Sequence, residues 1–194
     1  MTDTATIPGT TDALDLILSE NSRVADALGA ASASSLDDAA GLLAAAPRIF
    51  VLGAGRSGLA LKMTAMRLMH LGRTVHVVGE VTTPAIASND VLLVASGSGT
   101  TGAIVRAAET AHGVGASIVA LTTAPDSPLG RVAAVTVVIP AAAKQDHAGQ
   151  MSAQYSGGLF EQAVLLVGDA LFHTLWHRSG ATAAELWPRH ANLE

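Results

Sequence analysis

RIFVLGAGRSG, residues 48–58, is the stretch whose reading decides the fold. Its first half, 48–52, is a short apolar run bounded by turn residues, the pattern of a strand buried on both faces. Its second half, 53–58, is a glycine-rich turn. Residues 58–71 then follow a helical period and stop at Gly72. The same texture recurs outward from it. Residues 74–78 predict a second strand. Residues 90–95 (DVLLVA) predict a third, running into the turn SGSGTT at 96–101 and a helix over about 102–113. Strands at 117–122 and 134–139 follow, with one helical turn at 126–131 between them. Strand, turn and helix in alternation, with wholly apolar strands, predict an α/β fold: a five-stranded parallel sheet joined by right-handed crossovers, flavodoxin-like in order and covered on both faces.

Helices extend this unit at both ends. Residues 12–30 place Leu14, Ile17, Leu18, Val24 and Leu28 near a helical period, with Asp12 able to cap the start. Residues 35–45 read as a second helix with Leu36, Leu42 and Leu43 inward, ended by Pro47. A loop is expected at 140–150, then a long last helix over about 155–178 with Gly180 as its stop. Residues 1–11 are Thr-rich and read as a flexible leader. Residues 12–194 read as a single domain, with no repeats and no low-complexity linker.

The 194 residues favour one domain with one substantial core. Charged residues are only 14% and hydrophobic ones 49%, which excludes global disorder. A net charge of −5 and six aromatics argue against nucleic acid as a partner. There is no cysteine, which removes disulfides, thiolate nucleophiles and Cys-based metal sites and fits a reducing cytoplasm. The first residues show neither a basic nor an apolar region of a signal peptide. The most apolar stretch, 132–143, is interrupted by Thr136 and Pro140 and falls short of the roughly 20 residues of a spanning helix, so no membrane is expected.

Ligands of open parallel sheets bind at the carboxyl ends of the strands. Two glycine-rich turns fall there. Each precedes a helix, whose first N–H groups and positive dipole end suit an anion. The second turn adds four hydroxyls in six residues, a cradle of neutral donors for a phosphate monoester. The first turn, GAGRSG, also fits the dinucleotide pattern G-x-G-x-x-G, with Glu80 near the place of a ribose-binding acid. The hydroxyl-rich turn has no role in that scheme, and as a bland alternative it is a polar loop with an N-cap.

The pair of turns, the strand order and the long last helix resemble the sugar isomerase (SIS) domain family over about residues 35–180. Ser96, Ser98 and Thr101 match that family's S-x-S-x-x-T turn, and Ser57 matches the serine of its first turn. The blocks GAGRSG, MRLMHLG (66–72), VGEVTTP (78–84), SGSGTT and the ending PRHANLE (188–194) further resemble the family's hexulose phosphate isomerase branch. That resemblance implies interconversion of 3-hexulose 6-phosphate and fructose 6-phosphate through a cis-enediol, a step of formaldehyde fixation in the ribulose monophosphate pathway. It implies no metal and no cofactor. The implied partners are the sugar phosphate, further copies of the chain in a homodimer or homotetramer, and a 3-hexulose-6-phosphate synthase as pathway neighbour.

From the residues alone, Glu161 is either a surface glutamate favoured by a helix start or a base partly desolvated by Leu159 and Phe160. The family position implies the base. His190 is either a frayed-terminus histidine or a proton shuttle reaching a neighbouring subunit. Gly55, Arg56, Ser57, Ser96, Gly97, Ser98, Thr100 and Thr101 are the expected phosphate and substrate contacts. Glu80, Thr82 and Thr83 either meet substrate hydroxyls or form a turn before Pro84. Thr100 stands where several family members carry glutamate. His173 and His177 have metal-ligand spacing but lack an accompanying H-E-x-x-H pattern, and no metal site is expected. Residues 141–154 depart from the branch pattern, so Gln150 and Ser152 receive no role. Two other functions remain: a sugar-phosphate-sensing SIS module without catalysis, or an isomerase of another pentose or heptose phosphate.

Overall fold

A computed structural model describes residues 9–141 and 152–193. Its sheet has five parallel strands: β1 (Ile49–Gly53), β2 (Val75–Val77), β3 (Val91–Ala95), β4 (Ser117–Thr122) and β5 (Val135–Val138), in the spatial order β2-β1-β3-β4-β5. That is the flavodoxin-like order expected. In register, Gly53 stands beside Ala95 and Ala95 beside Leu121, so the ends of β1, β3 and β4 are level.

The helices are α1 (Thr10–Ala31), α2 (Ala33–Ala45), α3 (Gly55–His70), α4 (Gly102–Gly113), α5 (Pro128–Val132), α6 (Gly158–Ser179) and α7 (Ala183–Leu186), followed by a 3₁₀ turn, Trp187–Arg189. Strand side chains alternate between two cores. Ile49, Val51, Leu93, Ala95 and Val119 pack with α1, α2, α3 and α6, whereas Phe50, Leu92, Val94 and Ile118 pack with α4 and α5. Three layers result, as the doubly apolar strands require.

Several boundaries differ from expectation. Thr10 and Thr11, assigned to the leader, already belong to α1; the rest of the leader, apart from Gly9, lies outside the described residues. Asp12 holds the start of α1 from the third helical position, accepting the Gly9 N–H at 3.0 Å. Leu14 and Leu18 are exposed, and the inward face is Ile17, Glu20, Asn21, Val24 and Leu28. The last helix begins at Gly158, after Gly157 in the left-handed region (φ 84°). Beyond Gly180 the tail folds as α7 and the 3₁₀ turn. Thr182 and Glu185 bond reciprocally as a capping box.

Helices α3 and α6 position the site. Three contacts between them climb in step: Arg56 with Glu161, Thr64 with Gly168, and Arg67 with Phe172. The helices are therefore parallel, and both begin at the carboxyl edge of the sheet. A side chain at residue 168 would collide with Thr64, so Gly168 permits the close approach.

Candidate active site

The two turns meet where β1 and β3 diverge to opposite sides, the switch point at which open α/β sheets bind ligands. Gly53 and Gly58 touch backbone to backbone across the first turn. A Cβ on Gly53 would lie 2.8 Å from the Gly58 nitrogen, and one on Gly58 would strike the Gly53 carbonyl. This closeness turns the chain sharply from strand into α3 and leaves Ser57 facing β3.

The second turn is held from below by β4. Thr122 and Thr123 donate from their hydroxyls to the Gly97 carbonyl at 3.0 and 2.8 Å. Gly99 has φ 62° and lies against Ser127, so a larger residue there is both strained and obstructed. Within the turn, the Ser96 and Thr101 hydroxyls are 3.2 Å apart, and Thr100 donates to the Ser98 hydroxyl oxygen at 3.0 Å.

Ser57, Ser96, Gly97, Ser98 and Thr101 line one small cavity of about 40 Å³, closed by Ala54, Ala95 and Ile104. Both α3 and α4 start at its edge. Neither N-cap residue, Ala54 or Thr101, closes its helix with a side-chain hydrogen bond. The first-turn N–H donors of two helices therefore converge with four hydroxyls, and no acidic side chain lines this cavity. The arrangement suits a phosphate group.

A larger cleft of about 640 Å³ adjoins it. Its lining is Arg56, Gln154, Tyr155, Ser156, Gly158, Glu161 and Gln162. Arg56 and Ser57 are consecutive on the first turn of α3, so one faces the cleft and the other the small cavity. The Phe160 ring lies against Gly97, where a Cβ would be 3.5 Å from it. Glu161 therefore follows directly on the residue that abuts the hydroxyl turn. Its side chain is only 9% exposed, and Arg56 Nε donates to Glu161 Oε2 at 2.5 Å. Two residues expected in the site from separate motifs thus form one ion pair. Gly55, with φ 57°, opens α3 beside them.

Other expected residues lie elsewhere. Glu80 pairs with Lys62 of α3 at 2.7 Å, and this hydrogen bond holds its carboxyl below the usual range. The Thr83 hydroxyl donates to the Val77 carbonyl, and Thr83 lines a separate apolar cavity with Phe50 and Pro84. Thr82 is exposed. None of the three lines the small cavity or the cleft of its own chain.

His190 lies at the opposite end of α3. Its ring stacks on buried His70 with centroids 4.0 Å apart and sits 4.6 Å from Trp187. Thirteen helical steps lead from Ser57 to His70, about 20 Å at 1.5 Å per step. His190 is therefore remote from Glu161 of the same chain. His173 and His177 neighbour each other on α6, and no cluster of three or more metal-ligating side chains occurs among the described residues.

Gln154, Tyr155, Ser156 and Gln162 in the cleft wall were not anticipated. Gln162 directly follows Glu161 and was within reach of sequence reasoning. Gln154 was not, because its placement depends on a distant carboxylate, that of Glu20.

The class is settled by comparison with known proteins. The SIS domain family model matches residues 42–166, and the chain belongs to that family. Particular relatives narrow it. A Mycobacterium gastri protein named 3-hexulose-6-phosphate isomerase is 60% identical over 147 residues, 76% of this chain and 74% of that one. A Bacillus subtilis protein of the same name is 40% identical over 76% of this chain and 80% of that one. Among solved structures, one from Methanococcus jannaschii, whose description infers 3-hexulose-6-phosphate isomerase function, superposes with TM-score 0.80 at 28% identity. The match covers 93% of this chain and 98% of that one.

Proposed function

We propose that the chain is a 3-hexulose-6-phosphate isomerase, interconverting that sugar phosphate with fructose 6-phosphate. One observation carries the reading: a buried carboxylate, Glu161, lines the cleft while Phe160 beside it abuts the hydroxyl turn. The small cavity takes the phosphate through Ser57, Ser96, Ser98, Thr101 and the first N–H groups of α3 and α4. The sugar chain extends into the cleft, which is large enough to hold it.

Moving the carbonyl from C3 to C2 requires one carbon-bound proton to leave C2 and one to return at C3. Glu161 takes the C2 proton, the cis-enediol forms, and the same carboxylate delivers the proton to C3. The Arg56 guanidinium orients the carboxylate through a charge-assisted hydrogen bond. Protons on the two oxygens move through a second group. His190 of a second copy fills that role, since the tail of the same chain docks about 20 Å away. The chemistry itself calls for neither metal nor organic cofactor. The 60% identity to the Mycobacterium gastri isomerase supports this substrate over other ketose phosphates.

A second copy has a surface to meet. Leu59, Met63 and Met66 of α3 and Leu166 of α6 are exposed. Leu59 and Met63 line a recess with Arg56 and Glu161. A homodimer or homotetramer covering this face would bring another chain beside the cleft. No helix among the described residues is long and apolar enough to cross a membrane, and a cytoplasmic enzyme fed by a 3-hexulose-6-phosphate synthase is the placement that fits this reading.

The test is an assay with fructose 6-phosphate, in chelator, against a panel of pentose and heptose phosphates. Formation of 3-hexulose 6-phosphate, and its return when the synthase reaction supplies it, is the expected result. Turnover of another ketose phosphate in preference, or binding without turnover, would overturn the reading in favour of a different isomerase or a sensor.

A further inference from the structure

Glu20 lies in α1, a helix outside both turns, and is 2% exposed. An isolated carboxylate is costly to bury unless donors surround it. Three do. The Ser152 hydroxyl donates to Oε2 at 2.6 Å, the Ala153 N–H to Oε1 at 2.8 Å, and the Gln154 Nε2 to Oε2 at 2.9 Å. Arg23 adds its charge at 3.6 Å from the exposed side. The chain just before α6 is thus fastened to α1 by a single side chain.

The bonds continue in one sense. Gln162 Nε2 donates to Gln154 Oε1 at 2.7 Å, and Asn21 Nδ2 donates to Gln162 Oε1 at 2.6 Å and to the Ile17 carbonyl at 2.9 Å. A carboxylate only accepts, so Gln154 must present its amino group to Glu20 and its carbonyl to Gln162. That choice fixes the orientation of Gln162 in turn. Gln154 and Gln162 both line the cleft, and Gln162 adjoins Glu161.

We propose that Glu20 is a positioning residue for the isomerase reaction: its buried carboxylate sets the direction of the Gln154–Gln162–Asn21 amide chain and thereby holds the cleft wall against the first turn of α6. The proposal rests on the cleft being the isomerase site. Burial disfavours the charged form of Glu20. The hydrogen bonds from Ser152, Ala153 and Gln154, and the Arg23 charge, outweigh that and hold its carboxyl below the usual carboxylate value. The carboxylate is therefore ionised throughout the neutral range, and its acceptor-only character persists.

Glu20→Gln replaces one acceptor oxygen by a donor. A glutamine whose carbonyl still accepts from the Ala153 N–H turns its amide toward Ser152, whose hydroxyl can rotate to accept, and toward the Gln154 Nε2 donor, which must turn over and so reverses the amide chain. Small displacements of a reacting group cost up to about 10²-fold in rate. No residue of this network lines the small cavity. The experiment measures kcat, together with the inhibition constant of inorganic phosphate, for the parent, Glu20→Gln and Glu20→Asp, with folding checked by circular dichroism. Glu20→Gln is expected to lower kcat tenfold or more while phosphate inhibition changes less than twofold, and Glu20→Asp recovers part of the loss. A folded Glu20→Gln whose kcat falls less than tenfold overturns the proposal, as does a loss shared equally by phosphate affinity. Should Glu20→Gln fail to fold, Gln154→Ala carries the test, and a kcat within tenfold of the parent overturns it. An inactive parent overturns the isomerase reading itself, a separate outcome.

Discussion

Four hydroxyls in six residues place Ser96 and Ser98 at the centre of the phosphate account. Ser96 is buried against Thr101, whereas Ser98 is exposed and accepts from Thr100. Each hydroxyl lost from a charged ligand costs about 1.5–3 kcal/mol, or roughly 10- to 150-fold in affinity. The double variant Ser96→Ala, Ser98→Ala is therefore expected to raise KM by at least tenfold, with a smaller change in kcat. Steady-state kinetics on fructose 6-phosphate checks this, and an unchanged KM removes these serines from the site. Residue types at strand ends made this part legible from sequence, since the turn after β3 sets four hydroxyls around two glycines within six residues. Glu20 was not legible in the same way. Its spacing with Ile17, Val24 and Leu28 does put it in the inward phase of α1. Its hydrogen-bond donors, however, lie more than 130 positions away, and no local pattern announces them. The place of His190 was not legible either, because its stacking on His70 depends on the far end of α3 meeting the tail.

At the scale of elements, the strands were legible because both faces of each are apolar, and the helix ends were less so because caps set them. Strand β3 shows what fixes its start. Asp90, 1% exposed, receives Arg48 Nε at 3.0 Å and Arg48 Nη2 at 2.5 Å, and accepts the Ala87 N–H at 2.7 Å. This ties β1 to β3 at the end opposite the site. Burial disfavours the Asp90 charge, but hydrogen bonds from Arg48 and Ala87 and the charges of Arg48 and His76 hold its carboxyl below the usual 3.8. A carboxyl depressed on folding contributes stability that is present above its unfolded value and is lost as pH falls through its folded one. Asp90→Ala is expected to cost about 3 kcal/mol at pH 7, the lower part of the range for breaking a buried pair, since Arg48 is partly exposed. That corresponds to a fall in Tm of about 6–12 °C. Thermal unfolding of parent and variant at several pH values checks it: the gap should shrink as pH drops below about 4. A gap independent of pH contradicts the pairing.

For the whole molecule, the parallel run of α3 and α6 explains both the assembly of one site and the distance of another residue from it. The pairing of Arg56 with Glu161 comes from the shared start of these helices, and the stacking of His70 with His190 comes from their shared far end. If His190 serves the cleft of a second copy, activity belongs to the assembly. Chains lacking residues 187–194 retain Glu161, and Glu161→Gln chains retain the tail. Each alone is expected to be nearly inactive, and subunit exchange between them should restore activity, because some mixed sites regain both groups. Light scattering at micromolar concentration should show a dimer or tetramer. A monomer of full activity, or no recovery on mixing, places the shuttle elsewhere. The most direct measurement concerns the carbon-bound proton. Glu161→Gln keeps the size of the side chain and removes the base. Positioned acid–base groups contribute about 10²- to 10⁴-fold, so kcat for fructose 6-phosphate isomerisation should fall by that order with phosphate inhibition unchanged. A folded Glu161→Gln protein with kcat near that of the parent would show that another group takes the proton.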